Sequence, residues 1–217
     1  MEVKLLYVDE NIVVCLKPAG VLSQAGKEGQ ESMLSLLHGQ LEGDFYPVHR
    51  LDREVGGIMV YARNAKAAGN LSKQIQEGIM KKEYLAVVHG CPQEHGGFFE
   101  DLLLHDMKKN KTYVVDRMRK GVKKARLSYQ VLGKGADRTL VQVRLFTGRS
   151  HQIRVQFASR QMPLWGDGRY GGGNGKIALY SVRLSFRDPE SGRKVSYAFL
   201  PEIPAWTEEI PELAEME

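Results

Sequence analysis

Residues 49–52 read His-Arg-Leu-Asp, and further along the chain residues 147–154 read Thr-Gly-Arg-Ser-His-Gln-Ile-Arg. The first stretch sets the carboxylate of Asp52 between Arg50 and Arg53, and the second brings two further arginines on a turn that leads into a helix. Nearby positive charge favours the ionised form of a carboxylate. An ionised carboxylate can act as a nucleophile or stabilise charge, but it is a poor proton donor. The two stretches therefore predict an active site that acts on part of an anionic polymer.

Three further stretches stand around these two. They are Asn11–Gly20 (Asn-Ile-Val-Val-Cys-Leu-Lys-Pro-Ala-Gly), Lys82–Gly90 (Lys-Glu-Tyr-Leu-Ala-Val-Val-His-Gly) and Pro163–Gly171 (Pro-Leu-Trp-Gly-Asp-Gly-Arg-Tyr-Gly). In this order the five stretches resemble the RluA family of pseudouridine synthases, in its short form without an S4 domain. Five motifs in the right order are far more specific than any one of them. Two positions depart from the family pattern: Val55-Gly56-Gly57 stands where Thr-Ser-Gly is usual, and Gln156 where a histidine is common.

The resemblance implies the fold and the organisation of the chain. We expect an α/β (α+β) architecture with a mixed, mostly antiparallel central sheet, flanking helices and an RNA-binding cleft across it. Residues 1–217 would form a single catalytic domain, with no N-terminal S4 domain and with an acidic tail at 202–217. Target choice would then come from the catalytic domain itself or from a partner.

The resemblance also implies the activity. It predicts an RNA pseudouridine synthase that isomerises specific uridines in structured ribosomal RNA, transfer RNA or both, with no cofactor and no metal. Asp52 would be the nucleophile, whether it attacks the ribose or the pyrimidine or helps to form an elimination intermediate. Arg154 resembles the arginine that pairs with this aspartate, and Tyr84 the tyrosine that stacks on the uracil and moves a proton.

A stacked base must be flipped out before it can react. We assign Arg50 to the vacated space, because a guanidinium plane can stack on neighbouring bases. Met107–Arg126 holds nine Lys or Arg against one acid and is interpreted as a mobile arm against phosphates. For His49 and His151 a structural or RNA-contacting role is favoured over acid-base chemistry. The predicted RNA-binding residues are Arg50, His49, Arg149, His151, Lys108, Lys109 and Lys111.

Composition agrees with a polyanionic partner. The 217 residues carry a net charge of +5, and without the six acids of Glu202–Glu217 the rest has 31 basic against 20 acidic residues, a charge of +11. A merely soluble basic protein is the alternative. The two cysteines, Cys15 and Cys91, form no Cys-x-x-Cys spacing, and Cys15 is interpreted as a buried small residue. No signal peptide or membrane span is evident, so we expect a cytoplasmic monomer.

Local patterns predict the secondary structure. Leu5–Val8 and Ile12–Leu16 predict a hairpin, and strands are expected at Ile58–Ala62, around Tyr84, and later in the chain. The later strands are expected at Arg126–Leu132, Leu140–Phe146, Ile177–Phe186 and Val195–Leu200. Ser32, Asn64 and Ser150 are predicted helix caps, with Gly78 ending the second helix and Arg154 just off the buried face of the third.

Two rival functions stay open at this point. A metal-dependent nuclease could use His49, Asp52 and His151, although the sequence has no dense cluster with ligand spacing; loss of activity with EDTA would favour it. A non-catalytic RNA-binding module would explain the charge but not an Asp flanked by arginines. The run Gly166–Gly175 ends before Lys176 and so invites comparison with the phosphate-binding motif Gly-x-x-x-x-Gly-Lys-Ser/Thr. Nucleotide binding is not expected, because Tyr170 stands where that motif needs its first glycine and Ile177 where it needs the Ser or Thr that binds magnesium.

Overall fold

The computed structural model describes residues 1–26 and 29–201. Their contacts form two compact units, the first made of Met1–Lys82 and Tyr180–Pro201 and the second of Glu83–Leu179. The predicted acidic tail, 202–217, lies outside the described residues. The assignment of the whole chain to one catalytic domain stays a prediction.

Eleven strands and three helices are present in the described part of the chain. In order they are β1 Leu5–Val8, β2 Ile12–Lys17, α1 Met33–His38, β3 Tyr46–Pro47, β4 Gly56–Ala62, α2 Ala65–Gln76, β5 Lys81–His89, β6 Gly96–Asp106, β7 Lys111–Val115, β8 Val122–Lys134, β9 Arg138–Leu145, α3 Gln152–Ala158, β10 Leu179–Arg187 and β11 Lys194–Ala198. The pairs β1–β2, β2–β4, β3–β4, β6–β7, β6–β8, β8–β9 and β10–β11 are antiparallel, and β4 and β10 are parallel. The predicted α/β fold with a mixed, mostly antiparallel sheet is therefore confirmed.

The first unit is a sheet in the order β1-β2-β4-β10, with β3 paired to β4 and β11 to β10. The predicted β1–β2 hairpin is confirmed, and its turn is fixed by Asp9, whose Oδ1 accepts from the N–H groups of Asn11 and Ile12 at 2.7 Å each. One core cluster joins the apolar faces of β2, β4 and β10 to α2. This packing places the loop before β4 beside a rigid sheet.

The two helix caps predicted for the first unit are confirmed. The Ser32 hydroxyl accepts from the N–H of Ser35 at the start of α1, and the Asn64 side chain accepts from the N–H of Ala67 at the start of α2. The second helix ends at Gln76, and Gly78 follows with a φ of +69°. A positive φ suits glycine, so this helix ends where the sequence indicates.

The second unit is a sheet in the order β5-β9-β8-β6-β7, with α3 packed on one face. The ring of Phe157 on α3 meets Phe99 and Tyr129 edge-on, with centroids 5.1 and 5.5 Å apart. Residues alternate between faces along a strand, so the neighbours of Phe99 and Tyr129 point to the opposite face. Phe98 on that opposite face is 56% exposed.

Two predictions for this unit are wrong. Met107–Arg126 is not a mobile arm: half of it lies in β7 and β8, and β7 forms a hairpin with β6, a strand the sequence did not indicate. Among the lysines of this stretch, Thr112, Val122 and Ala125 are buried without a regular alternation, so the sequence pattern did not reveal the strands. Ser150 is not the cap of α3, because His151 occupies that position.

No helix among residues 1–26 and 29–201 has the length and apolar character needed to cross a bilayer.

Candidate active site

The His-Arg-Leu-Asp stretch lies in the loop between β3 and β4. The buried Ser23 hydroxyl donates to the carbonyl of Leu51 at 2.8 Å and accepts from its N–H at 3.0 Å. Tyr61 donates in turn to the carbonyl of Ser23 at 2.6 Å. Leu51 is buried, and the next residue, Asp52, is half-buried. The carboxylate is therefore carried on a loop whose preceding residue is fixed through both of its backbone groups.

The Lys-Pro-x-Gly turn fixes the residue that follows Asp52. The buried ammonium of Lys17 and the N–H of Gly20 both donate to the carbonyl of Arg53, at 2.9 and 2.8 Å. Gly20 has a φ of +89°, a conformation that favours glycine. Burial lowers the pKa of Lys17 to about 8, and the charges of Glu54 and Asp52 oppose that change. The sequence motif contained Lys17 but did not indicate its role. In the structure, this lysine supports the loop that carries Asp52.

His49 is a hydrogen-bonded residue of the loop. Its Nε2 accepts from the N–H of Val60 at 3.1 Å, and its Nδ1 is buried with no hydrogen-bond partner among the described residues. Burial, and secondarily the charge of Lys82, hold the pKa of His49 well below its usual range. The ring is therefore neutral near pH 7, which favours the structural role over RNA contact.

The two arginines beside Asp52 are exposed. Arg53 is also tethered, because its Nε donates to the carbonyl of Gly20 at 2.9 Å. Arg50 keeps an exposed guanidinium of the kind its predicted role requires, and that role stays a prediction.

The two positions where the chain departs from the family pattern have structural explanations. Gly56, at the serine position of the pattern, lies where a Cβ would come within 2.8 Å of the Tyr180 ring and 3.3 Å of the carbonyl oxygen of Lys17. Val55, at the threonine position, is buried. Gln156 on α3 is buried and donates to the carboxylate of Asp101 at 2.7 Å.

In the second unit, Tyr84 lies on β5 and is buried. Ala86 and Val88 share its face as predicted, but Leu85 and Val87 on the other face are buried as well. The strand is therefore covered on both sides, and the stacking role of Tyr84 stays a prediction.

Arg154 on α3 forms a bidentate ion pair with Asp167. Its Nε lies 2.7 Å from Oδ2 and its Nη2 lies 2.7 Å from Oδ1. Their side chains are 8% and 1% exposed. The predicted place just off the buried face is therefore wrong, because a carboxylate from a later turn allows the guanidinium to be buried. The predicted pairing of Arg154 with Asp52 stays a prediction.

A glycine-rich turn presents Asp167. Gly166 has a φ of +74°, and a Cβ on it would overlap the carbonyl of Lys176. A Cβ on Gly172 would likewise overlap the carbonyl of Leu164. Close backbone packing therefore requires glycine at these two positions of the turn.

The same turn also holds the β6–β7 hairpin. The Tyr170 hydroxyl accepts from the N–H of Thr112 at 2.8 Å, and the Cζ of Arg154 lies 5.3 Å from the centre of the Tyr170 ring. Arg169 donates to the carbonyls of Lys109 and Asn110 at 3.2 and 3.0 Å. One short segment therefore contacts both the arginine and the basic hairpin. The sequence motif contained Tyr170 without indicating this function.

His151 begins α3 in the left-handed conformation, with a φ of +53°. It is buried, and its Nδ1 lies 3.0 Å from the hydroxyl of Tyr170. The amide oxygen of Gln152 accepts from Thr147 Oγ1 at 2.8 Å and from the N–H of Arg149 at 3.0 Å. The N–H of Gln152 donates to the carbonyl of Arg149, so this turn closes before the helix, and His151 occupies the cap position instead of Ser150.

The remaining predicted RNA-binding residues lie on the second unit. Arg149 is exposed, and its Nε donates to the carbonyl of Lys124 at 2.9 Å. Lys108 and Lys109 are exposed at the tip of the hairpin. Lys111 is half-buried, with Nζ 5.3 Å from the centre of the Tyr170 ring. Lys108 and Lys109 are therefore better placed than Lys111 to meet phosphates.

In the described part of the chain, no group of three or more His, Cys, Asp and Glu side chains is arranged to hold a metal ion.

Comparison with known proteins identifies relatives along most of the chain. The sequence profile of a family described as RNA pseudouridylate synthase matches residues 11–159. The ribosomal large subunit pseudouridine synthase C of Buchnera aphidicola is 29% identical over 88% of this chain. Synthase D of Nitrosomonas europaea is 31% identical over 88% of this chain. The dual-specificity RNA pseudouridine synthase RluA of Vibrio vulnificus is 32% identical over 87% of this chain.

The chain spans only part of the length of these relatives: 65% of the Buchnera protein, 59% of the Nitrosomonas protein and 79% of the Vibrio protein. Among solved structures, human RNA pseudouridylate synthase domain containing 1 superposes with a TM-score of 0.80 at 21% identity, covering 94% of this chain and 86% of that one. At this identity the likeness establishes the fold.

Proposed function

Because the chain belongs to the RNA pseudouridylate synthase family, we propose that it isomerises specific uridines of structured RNA to pseudouridine. Three relatives carry names of ribosomal large subunit or dual-specificity RNA synthases. The proposed substrate is accordingly ribosomal RNA, transfer RNA or both. We also propose that the protein is a monomer and acts in the cytoplasm.

The reaction rearranges one nucleotide. The bond between C1′ of the ribose and N1 of uracil breaks, and a bond between C1′ and C5 forms. The proton on C5 leaves and N1 gains one, so no electrons are exchanged and no co-reactant is consumed. The protein must supply an attacking group, a pocket that retains the detached base, and a route for one proton.

Asp52 is the proposed attacking group. Its support is the loop in which Ser23 fixes Leu51 while Lys17 and Gly20 fix Arg53. A nucleophile held within a fraction of an ångström avoids the entropy cost of finding its target. Attack on the ribose, attack on the pyrimidine and formation of an elimination intermediate all fit this role.

Tyr84 and Arg154 are the other proposed catalytic residues. The bidentate contact with Asp167 supports a fixed orientation of the Arg154 guanidinium, since two parallel hydrogen bonds define its plane. Tyr84 would stack on the uracil and take part in proton transfer. Arg50 would fill the place of the flipped base, while Arg149, Lys108 and Lys109 would meet phosphates.

The observation that carries the proposal is the presence of His49–Asp52 in a braced loop within a chain that matches the family over residues 11–159. The test is to map pseudouridines by carbodiimide-adduct primer extension in RNA from cells with and without the gene. We expect at least one site to disappear on deletion and to return with the parent gene, but not with Asp52→Asn. An unchanged map of both ribosomal and transfer RNA would contradict the proposal.

A further inference from the structure

Two phenylalanine rings lie in contact on the water-facing side of the second unit. Phe98 on β6 is 56% exposed and Phe146, just after β9, is 41% exposed. Their ring centroids are 5.7 Å apart and the rings are tilted by 50°. The other face of this sheet packs against α3, so burial of the core does not explain their position. Scattered single apolar residues need no explanation on a surface, whereas contiguous exposed apolar area is a feature of binding surfaces.

The strand register shows why the two rings can meet. Phe98 pairs with Ser128 on β8, and Ser128 pairs with Arg144 on β9. Phe146 follows Arg144 by two residues and lies opposite Arg126, so it is diagonal to Phe98 across β8. The pair therefore forms one continuous aromatic surface across three strands.

Basic side chains surround this surface. Arg144 lies with its Cζ 5.5 Å from the centre of the Phe146 ring. Arg126 is exposed, and its carbonyl accepts from the N–H of Phe146 at 3.0 Å. Glu100 pairs with Arg126 in the register and supplies one acid. Exposed Lys124 lies two residues before Arg126 on the same face, so the positive charges exceed the negative ones.

Unpaired nucleotides present flat bases and negative phosphates, and proteins bind them with exposed aromatic rings set among basic residues. We propose that Phe98 and Phe146, with Arg126 and Arg144, form a stacking platform for unpaired nucleotides of the RNA substrate. The proposal rests on the proposed function for the identity of the substrate. It extends the RNA contacts to a sheet face that is distinct from the face bearing Arg154, and it would help a chain of this kind select RNA with single-stranded segments.

The chain provides a matched control. Tyr7 and Tyr197 also form a tilted ring pair, with centroids 5.7 Å apart, and Tyr7 is 40% exposed. The charges near Tyr7 come from Asp9, Asp188 and Glu190. Because those charges repel phosphate, this second aromatic pair should not bind RNA.

The test measures the affinity of the full chain for a short fluorescent oligouridine and for a structured RNA. Stacking on aromatic rings is worth about 1 to 3 kcal/mol per base, and about 1.4 kcal/mol is tenfold. The Phe98→Ala, Phe146→Ala double variant should therefore bind oligouridine about tenfold more weakly or worse. Tyr7→Ala should bind like the parent, and Phe98→Tyr with Phe146→Tyr should restore affinity.

Salt dependence separates stacking from charge. The phenylalanine variants should leave the slope of log affinity against log salt unchanged, while Arg126→Gln with Arg144→Gln should reduce it by roughly 0.7 for each lost single-strand phosphate contact. Parental affinity of the double alanine variant would overturn the platform. Self-association of the parent that the variant abolishes, seen by sedimentation, would identify the surface as an interface between copies instead.

Isomerisation assayed on the same structured RNA distinguishes the two proposals. A parent that isomerises uridine while the phenylalanine variants bind normally would reject the platform alone. A parent with no activity on any RNA, but with platform-dependent oligouridine binding, would reject the proposed function alone.

Discussion

The guanidinium of Arg154 and the carboxylate of Asp167 form a buried bidentate ion pair with both N–O distances at 2.7 Å. The two residues lie 13 positions apart, on α3 and on the glycine-rich turn. Two desolvated charges of this kind depend on each other, because removal of one leaves the other buried without its oppositely charged partner in this pair.

Asp167→Asn should therefore destabilise the protein and reduce its turnover. Removing one partner of a buried ion pair costs about 3 to 5 kcal/mol in the free energy of unfolding. Urea unfolding measures this cost. Glu77→Gln, which breaks the exposed pair of Glu77 with Lys73, is the control and should change the stability by less than about 1 kcal/mol. Equal losses in the free energy of unfolding for the two substitutions would show that the buried Arg154–Asp167 pair stabilises the protein no more than an exposed pair does.

Tyr170→Phe should loosen the β6–β7 hairpin while keeping an aromatic ring beside Arg154. The substitution removes the acceptor for the N–H of Thr112, and an unsatisfied buried donor costs about 1 to 3 kcal/mol. Amide hydrogen exchange should become faster at Thr112 and its neighbours on β7, and RNA affinity should fall. Tyr113→Phe, on the exposed side of the same hairpin, should change neither. Unchanged amide hydrogen exchange in Tyr170→Phe would contradict the conclusion that the Tyr170 hydroxyl holds the β6–β7 hairpin in place.

His49 should make the stability depend on pH below the ordinary histidine range. The folded pKa is well below the usual value of 6.5, so below that pH the unfolded chain binds a proton that the folded chain does not. The contribution of neutral His49 is present above pH 6.5 and is lost as the pH falls. Urea unfolding across this range should show a steeper acid loss for the parent than for His49→Gln. Parallel curves would show that the neutral His49 ring does not cause the loss of stability in acid.

The parts of the structure that depend on local hydrogen bonds could be predicted from the sequence. Ser32 and Asn64 cap helices because a short polar side chain reaches an N–H three residues on, whatever the rest of the fold does. Ser150 has the same local signal, but His151 takes the left-handed conformation and contacts Tyr170 of a later turn, and the helix begins after it. A contact from a distant part of the chain is not visible in the local pattern.

The candidate site could be predicted only as a set of separate motifs. The motifs contained Arg154 and Asp167, but their pairing depends on how the Gly166–Gly172 turn folds back. Lys17 is the last residue of the buried strand β2. A lysine at such a position indicates that its ammonium group binds backbone carbonyls, as it does here. The exposure of Phe98 could not be predicted from the sequence, because the apolar and polar residues of β6 do not alternate clearly enough to indicate a strand.

Tyr84 allows the contributions of a ring and of a hydroxyl to be separated. If the ring stacks on the flipped uracil and the hydroxyl takes part in proton transfer, Tyr84→Phe should bind RNA like the parent but lose most turnover. Positioned acid-base help contributes roughly 100- to 10,000-fold. Tyr84→Ala should also lose affinity, by about 1 to 3 kcal/mol for the lost stacking. A parental single-turnover rate for Tyr84→Phe would leave the residue as a stacking platform only.

The most direct test of the account is the single-turnover conversion of uridine to pseudouridine by purified parent and Asp52→Asn on one RNA that both bind. The amide keeps the shape of the side chain but cannot attack, so we predict no detectable conversion with affinity close to the parent. Asp44→Asn, an exposed aspartate of the same unit, should convert at the parental rate. Losing the attacking group should cost several kcal/mol of transition-state stabilisation, so an Asp52→Asn rate within about tenfold of the parent would contradict the assignment.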